Sequence, residues 1–254
     1  MRPLIVVAAV LLLGATAGTE ASPARSAADL ERDRSSQPFA VLDFIGLEPG
    51  MRALDVFAGD GYYSEVMAGI VGRDGHVYLH NSLGSARSLA RMQQRLAAGR
   101  LPNVEPLVQD LDQLLIPGSS LDLVLLVKVF HDFYYANHGW RIAPDPALKT
   151  LYRLLKPGGI FGIVDHVARA GTGPAAAQVL HRVDPVFVCT EMQRLGFRFE
   201  GASQLLSNPR DPLDIPVFQA EVRGNTARFV HRYRKPAADE LPTESKDCGR
   251  LAGS

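Results

Sequence analysis

Between residues 53 and 164 short, almost unbroken apolar runs alternate with stretches whose apolar residues recur at helical spacing, and this alternation most limits what the chain can fold into. Strand-like runs fall at residues 53–57, 76–80, 104–108, 121–129 and 160–164, and helical patterns at 62–71, 85–98 and 146–155. The run at 121–129 (LDLVLLVKV) is apolar at nearly every position, so both of its faces must be covered, as in a parallel sheet between helical layers. The expected class is α/β, a doubly wound, Rossmann-like, mostly parallel sheet. A lead-in helix is expected at 37–46, where Pro38 opens and Gly46 closes an apolar-periodic segment. A further helix is expected around 191–195. Residues 228–234 (RFVHRYR) alternate like an edge strand, which Pro236 should end.

The ends of the chain differ in character. Arg2, the apolar run at 4–13 and the small residues Ala15 and Ala17 have the layout of an export signal cut after Ala17, and the run is too short to span a bilayer. The expectation is a periplasmic or secreted protein without a stable membrane anchor. Residues 18–36 read as a linker or loose arm, 37–236 as the folded domain, and 237–254 as a polar, disordered tail. Twenty-seven acidic and 27 basic residues cancel, so no net field draws the chain to nucleic acid. Cys189 and Cys248 are too few for a disulfide framework; free thiols are the simpler expectation, and pairing is open to them in an oxidising compartment.

The chemistry is expected at residues 54–65 (LDVFAGDGYYSE). An acidic residue, Asp55, closes a strand there, and Gly59 and Gly61 precede a helix. Glycines at such a turn permit positive φ and close approach of a ligand beyond the carboxyl ends of the strands. The dinucleotide fingerprint would place its third glycine, or an alanine, at 64; Ser64, after two tyrosines, departs from it.

This segment resembles motif I of the class I S-adenosylmethionine-dependent methyltransferases, with Asp55, Gly59 and Gly61 at the acidic and last two glycine positions and Phe57 where the first glycine usually stands. Residues 75–81, 108–110, 121–124 and 154–159 (LLKPGG) match later motifs in the same order, so the resemblance covers roughly residues 37–200. It implies a seven-stranded sheet and S-adenosylmethionine as cofactor. Asp55 would hold the methionyl ammonium, the Phe57–Gly61 loop would face the methionine and ribose, and Asp110 would accept from the adenine amino group. Asn81 stands where the family carries an acidic residue for the ribose hydroxyls. The pattern also resembles a group of exported bacterial proteins known as predicted methyltransferases.

On the acceptor side, His131 and Asp132 follow the fourth strand, Asp165 and His166 close the fifth, and His181 and Arg182 come next. His131, Asp132, His166 and His181 are the candidate catalytic residues, with His131 as an ordinary imidazole base whose protonation would slow turnover below about pH 6. Arg182 could add an anion-binding charge. The histidines lack a tight ligand spacing such as His-Glu-x-x-His, so the sequence assigns no metal. His76, His80, His138 and His231 read as strand-end or surface residues, and Lys128 as a cation reaching either the crevice or solvent. The expected activity is methyl transfer to oxygen or nitrogen of a small molecule. A ligand-binding module that has lost catalysis, and an enzyme using the histidines for other chemistry, are the alternatives.

Overall fold

The computed structural model describes residues 25–237, apart from 85 and 138, together with 247 and 248. Seven strands form one sheet in the order β3-β2-β1-β4-β5-β7-β6. They are β1 (Arg52–Val56), β2 (His76–Asn81), β3 (Val104–Val108), β4 (Leu121–Val127), β5 (Leu155–His166), β6 (Arg198–Ser203) and β7 (Arg228–Arg234). Strands β1 to β5 run parallel, and β7 is antiparallel to both β5 and β6. The strand order reverses between β1 and β4, which is where ligands bind in open sheets of this kind.

The helices are α1 (Ala27–Ser36), α2 (Pro38–Ile45), α3 (Tyr62–Val71), α4 (Ala86–Leu96), α5 (Pro144–Leu154), α6 (Ala175–Leu180) and α7 (Pro185–Arg194). Successive residues of the central strands feed opposite cores, as a two-residue side-chain period demands. Leu54, Val56, Val124 and Leu126 pack with Leu148 and Leu151 of α5 and Val188 and Met192 of α7. Ala53, Leu123 and Leu125 pack with Val41, Leu42 and Ile45 of α2 and Met67 of α3. The unbroken apolar character of β4 is thus a consequence of burial on both faces.

Three sequence expectations change at the margins. The segment expected as a loose arm carries α1, capped by Ser26, whose hydroxyl accepts from the Asp29 amide at 3.1 Å. The Lys156–Gly159 turn is incorporated at the start of β5, with Gly158 at φ 77°. Cys189, on α7, and Cys248 are joined by a disulfide rather than left as free thiols. The expected signal at 1–17, residues 18–24 of the arm and most of the 237–254 tail lie outside the described residues. Among the described residues no helix is long and apolar enough to cross a membrane.

Candidate active site

The turn after β1 is held by its neighbours. Phe57 adopts φ 50°, a left-handed conformation usual for glycine, and its amide donates to His80 Nδ1 at 3.2 Å. The Ala58 amide donates to the His80 carbonyl at 2.8 Å, and His80 Nε2 lies 2.9 Å from the Gln109 carbonyl. His80 is fully buried, and burial pushes its pKa down to about 4. It is a neutral pin joining the ends of β1, β2 and β3, not a surface residue. Asn81 clamps the next position, accepting from the Gly59 amide and donating to the Gly59 carbonyl, each at 2.9 Å. Both polar atoms thus brace the loop, and the second lone pair of the amide oxygen is left to accept from a ligand hydroxyl.

Gly59 (φ 63°) has open space where a side chain would stand, whereas a Cβ on Gly61 (φ 79°) would meet Leu79 at 2.6 Å. One glycine leaves room for a ligand, and the other lets α3 sit close to β2. Asp55 is buried beneath them, and its carboxylate accepts from the Ser64 hydroxyl at 2.7 Å. Burial raises its pKa to about 7 against the lowering effects of Ser64 and of the Arg32 charge, and among the described residues no cation is in salt-bridge contact with it. A desolvated carboxylate lacking a contacting cation, under an open glycine turn, fits a ligand that brings an ammonium. Asp110, exposed just beyond β3, is available to accept from a ligand donor.

Helix α1 closes over this turn, a role the sequence reading did not foresee. Tyr62 donates its hydroxyl to Asp33 at 2.5 Å, and the Arg32 guanidinium lies 3.8 Å from the centre of the Tyr62 ring. Arg95 of α4 donates to the Asp60 carbonyl at 2.7 Å and pairs with Asp29 at 2.8 Å and with Glu65. Arg32 also pairs with Asp60 at 3.5 Å. The Ser26-x-x-Asp29 spacing was the local sign of this helix.

The ends of β4 and β5, adjacent in the sheet, bring together the acceptor-side candidates. Asp165, fully buried, accepts from the His131 amide at 2.9 Å and lies 2.8 Å from His131 Nδ1. His131 Nε2 is 3.2 Å from Asp132, and His181 Nδ1 is 3.7 Å from the same Asp132 oxygen. The His131 ring lies 5.4 Å from His181 and 6.0 Å from His166, centre to centre. Burial alone would lower the pKa of His131, but Asp165 and Asp132 outweigh it and hold it up at about 10. That corrects the expectation of an ordinary imidazole base, because a protonated His131 has no lone pair to offer at neutral pH. His166, bonded through Nδ1 to Thr226 at 2.7 Å, is pushed well below its usual value by burial and by the charges of His131, Lys128 and Arg228. His166 is the neutral member of the pair.

Lys128, at φ 59°, is turned into the same region; burial, with Arg32 and Arg228 nearby, lowers its pKa to about 8. Arg182 is withdrawn from the cluster. Its buried guanidinium forks onto Asp211 at 2.8 and 2.9 Å and donates to the Val167 and Ile215 carbonyls, so it braces the loops behind the site. His231 is likewise a core residue, bonded to the Tyr233 hydroxyl at 2.7 Å, with burial lowering its pKa to about 3. His76 pairs with Glu105 at the surface, and His138 lies outside the described residues. Asp165, Lys128, Thr226 and α1 therefore join the candidate residues, while Arg182 leaves them.

Comparison with known proteins supports the architecture. The chain is 35% identical over 117 residues to the demethylmenaquinone methyltransferase of Bacillus mycoides, a match covering 45% of this chain and 44% of that protein. It is 30% identical over 118 residues to the ubiquinone/menaquinone biosynthesis C-methyltransferase of Vibrio vulnificus, covering 46% and 42%. The matches thus span less than half the length of these curated relatives. An S-adenosylmethionine-dependent methyltransferase from Aquifex aeolicus superposes with a TM-score of 0.60 at 20% identity, over 81% of this chain and 93% of that one. The family described as "Methyltransferase domain" matches residues 47–194, more than half of the 254 residues and the stretch that holds the glycine turn, the clamp at Asn81 and His131, Asp132, Asp165, His166 and His181. The chain therefore belongs to the methyltransferase domain family, and its fold is that of the S-adenosylmethionine-dependent methyltransferase from Aquifex aeolicus.

Proposed function

We propose that this protein transfers the methyl group of S-adenosylmethionine to a small-molecule acceptor bound at the carboxyl ends of β4 and β5. The observation that carries this reading is that the open glycine turn above Asp55 and the cluster of His131, Asp132, His166 and His181 follow the same carboxyl ends of the parallel neighbouring strands β1, β4 and β5. When bound, the cofactor supplies an electrophilic methyl, so the chain's own residues have to orient an acceptor and take its proton. His166 is neutral and stands at the end of β5 beside the cluster, which suits it to that second task.

An oxygen or nitrogen acceptor is the reading drawn from the cluster of acid/base groups. A carbon of a hydroxylated, quinone-type ring is a second reading, suggested by the names of the Bacillus and Vibrio relatives. The rim of the cluster favours a flat, apolar partner in either case. Phe218 is 63% exposed with its ring 4.9 Å from that of His181, and the Tyr135 ring lies tilted 4.4 Å from the His181 ring.

Export belongs to the same proposal. It rests on the arrangement of residues 1–17, and it is supported by the disulfide between Cys189 and Cys248, a bond characteristic of oxidising compartments. Mass spectrometry of material released from the producing cell should find a chain beginning near Gly18; a chain retaining Met1 in the membrane fraction refutes it. For the activity, calorimetric titration with S-adenosylmethionine and S-adenosylhomocysteine should show one site for each. Hydroxylated ring compounds should then release S-adenosylhomocysteine. Failure of both cofactor forms to bind sinks the enzymatic reading.

A further inference from the structure

Besides the cofactor turn, the fold gathers a second set of potential ligand atoms that no spacing in the sequence announced. One atom each from His131, Asp132 and His181 lie within 4.8 Å of one another. They come from the turn after β4 and from the end of α6, fifty residues apart in the chain at their farthest (131 to 181). We propose that His131 Nε2, the Asp132 carboxylate and His181 Nδ1 bind a divalent first-row transition ion, with Asp165 as the outer carboxylate that orients His131.

Four features carry the proposal. The first is distance: bonds of about 2.1 Å allow two donors on opposite sides of an ion to stand about 4.2 Å apart. The observed separations of 3.2 Å (His131 to Asp132) and 3.7 Å (His181 to Asp132) fall inside that span, and the 4.8 Å bound on the whole set asks for only a small inward shift. The second is the outer contact. Metal-ligating histidines generally give their other ring nitrogen to a carboxylate or carbonyl, which fixes the ring and leaves the second nitrogen for the ion. His131 meets this pattern, with Nδ1 2.8 Å from a fully buried Asp165 that also accepts the His131 amide; the ion takes the place of the Nε2 proton that His131 carries without it, and that proton leaves to solvent on binding. The third is donor chemistry: two imidazoles and one carboxylate suit zinc, cobalt, iron or manganese, whereas magnesium and calcium call for oxygen donors. The fourth is access. Asp132 and His181 are only partly buried, so the set opens toward solvent, and three protein ligands leave a position for a further group.

That open position gives the ion a use. An oxygen donor of an acceptor molecule could complete the coordination, and a bound hydroxyl loses its proton more readily. This consequence rests on the methyl-transfer reading; the metal site itself does not. The test therefore uses the metal alone. The full purified chain, stripped with a chelator, is titrated with Co2+ and followed by calorimetry and by the cobalt absorption bands, with no cofactor present. One equivalent should bind. His181→Asn, chosen because asparagine tolerates the φ of 52° at that position, should weaken binding by at least about 100-fold. Asp132→Asn should do the same, and Asp165→Asn should cost about 10- to 100-fold. His76→Gln, at the surface pair with Glu105, should leave binding unchanged. Absence of a stoichiometric site, or equal affinity in the parent and in folded His181→Asn, overturns the proposal. Either result leaves the S-adenosylmethionine titration to be judged separately.

Discussion

Replacing Asp55 with asparagine should make the ligand-free protein more stable while weakening its hold on the cofactor. The carboxyl is buried, bonded to Ser64, and its pKa is raised to about 7 in the fold from the ordinary 3.8 of an aspartate. A raised folded pKa means that the folded state keeps its proton while the unfolded chain has lost it. The contribution of Asp55 to stability therefore falls as pH rises from about 4 to about 7 and is level above, opposite in sign to that of the buried neutral histidines. The difference of about three units corresponds to roughly 4 kcal/mol of charging cost, fully present above pH 7. Asparagine removes that cost and still accepts from the Ser64 hydroxyl, but buries an amide donor at roughly 1–2 kcal/mol. The net gain at pH 8 is about 2 kcal/mol, or an increase of about 4–8 °C in Tm for a domain of this size. At pH 5 the parent's folded carboxyl is already protonated, so the two proteins should melt within about a degree or two of each other. Calorimetry at pH 8 should meanwhile show S-adenosylmethionine bound about 1–3 kcal/mol more weakly by the variant. The parent's own affinity should fall about tenfold between pH 8 and pH 6, as Asp55 takes up the proton that the ammonium must displace. A variant no more stable than the parent at pH 8, or equally stabilised at both pH values, would show that the Asp55 charge is not carried at a cost.

The two loop glycines should separate folding from binding. Gly59→Ala meets no atom within 4 Å and should cost only about 1–2 kcal/mol of stability from its positive φ, yet weaken S-adenosylmethionine binding at least tenfold; unchanged affinity would move the cofactor elsewhere. Gly61→Ala collides with Leu79 and should lower Tm before any ligand is added, so it reports on packing. His166→Gln should leave cofactor affinity intact and reduce turnover by about 100-fold, and near-normal turnover removes it from the proton transfer. Cys248→Ser should lower stability by about 2–4 kcal/mol, since the bond closes a separation of 59 residues; two reactive thiols in the untreated parent would contradict the bond itself. His80 and His231, held neutral at about 4 and about 3, take up protons only on unfolding, so stability should drop as pH falls below about 6.5. His231→Leu should flatten that drop between pH 7 and pH 5, and an unchanged slope refutes the assignment.

The elements legible in the sequence are those whose signal is carried by their own residues. The helix at Tyr62–Val71 and the strands at Val104–Val108 and Arg228–Arg234 take the bounds expected of them, because apolar periodicity and local punctuation report directly on one buried face or two. Helix α1 escaped that reading for a physical reason. It is polar on nearly every side, and what holds it are charges far along the chain: Asp29 meets Arg95 66 residues on, and Asp33 meets Tyr62 29 residues on. Helix α6, of six residues, is too short to show a period. The pairing of Cys189 with Cys248 depends on where Cys248 meets α7, 59 residues along the chain, which spacing alone leaves undetermined.

The site divides along the same line. The glycine turn was legible because backbone conformation at a strand-to-helix junction selects residue types locally, whereas the roles of its polar neighbours are set by what each one meets. Asn81 has the right place for a ribose contact, yet both its polar atoms serve Gly59, 22 residues earlier. Arg182 follows a candidate ligand directly but is claimed by Asp211, 29 residues later. The clearest case is the histidine pair. His131 and His166 are the same residue type at the ends of neighbouring strands, and nothing in their sequence surroundings tells them apart as acid or base. The fold does so by giving one carboxylate, Asp165, to the His131 ring and a hydroxyl, Thr226, to the His166 ring. An imidazole facing a buried anion keeps its proton, and one facing a hydroxyl beside several cations loses it. Residue type can therefore nominate the members of such a site, but the assignment of donor, acceptor and metal ligand follows from long-range pairing.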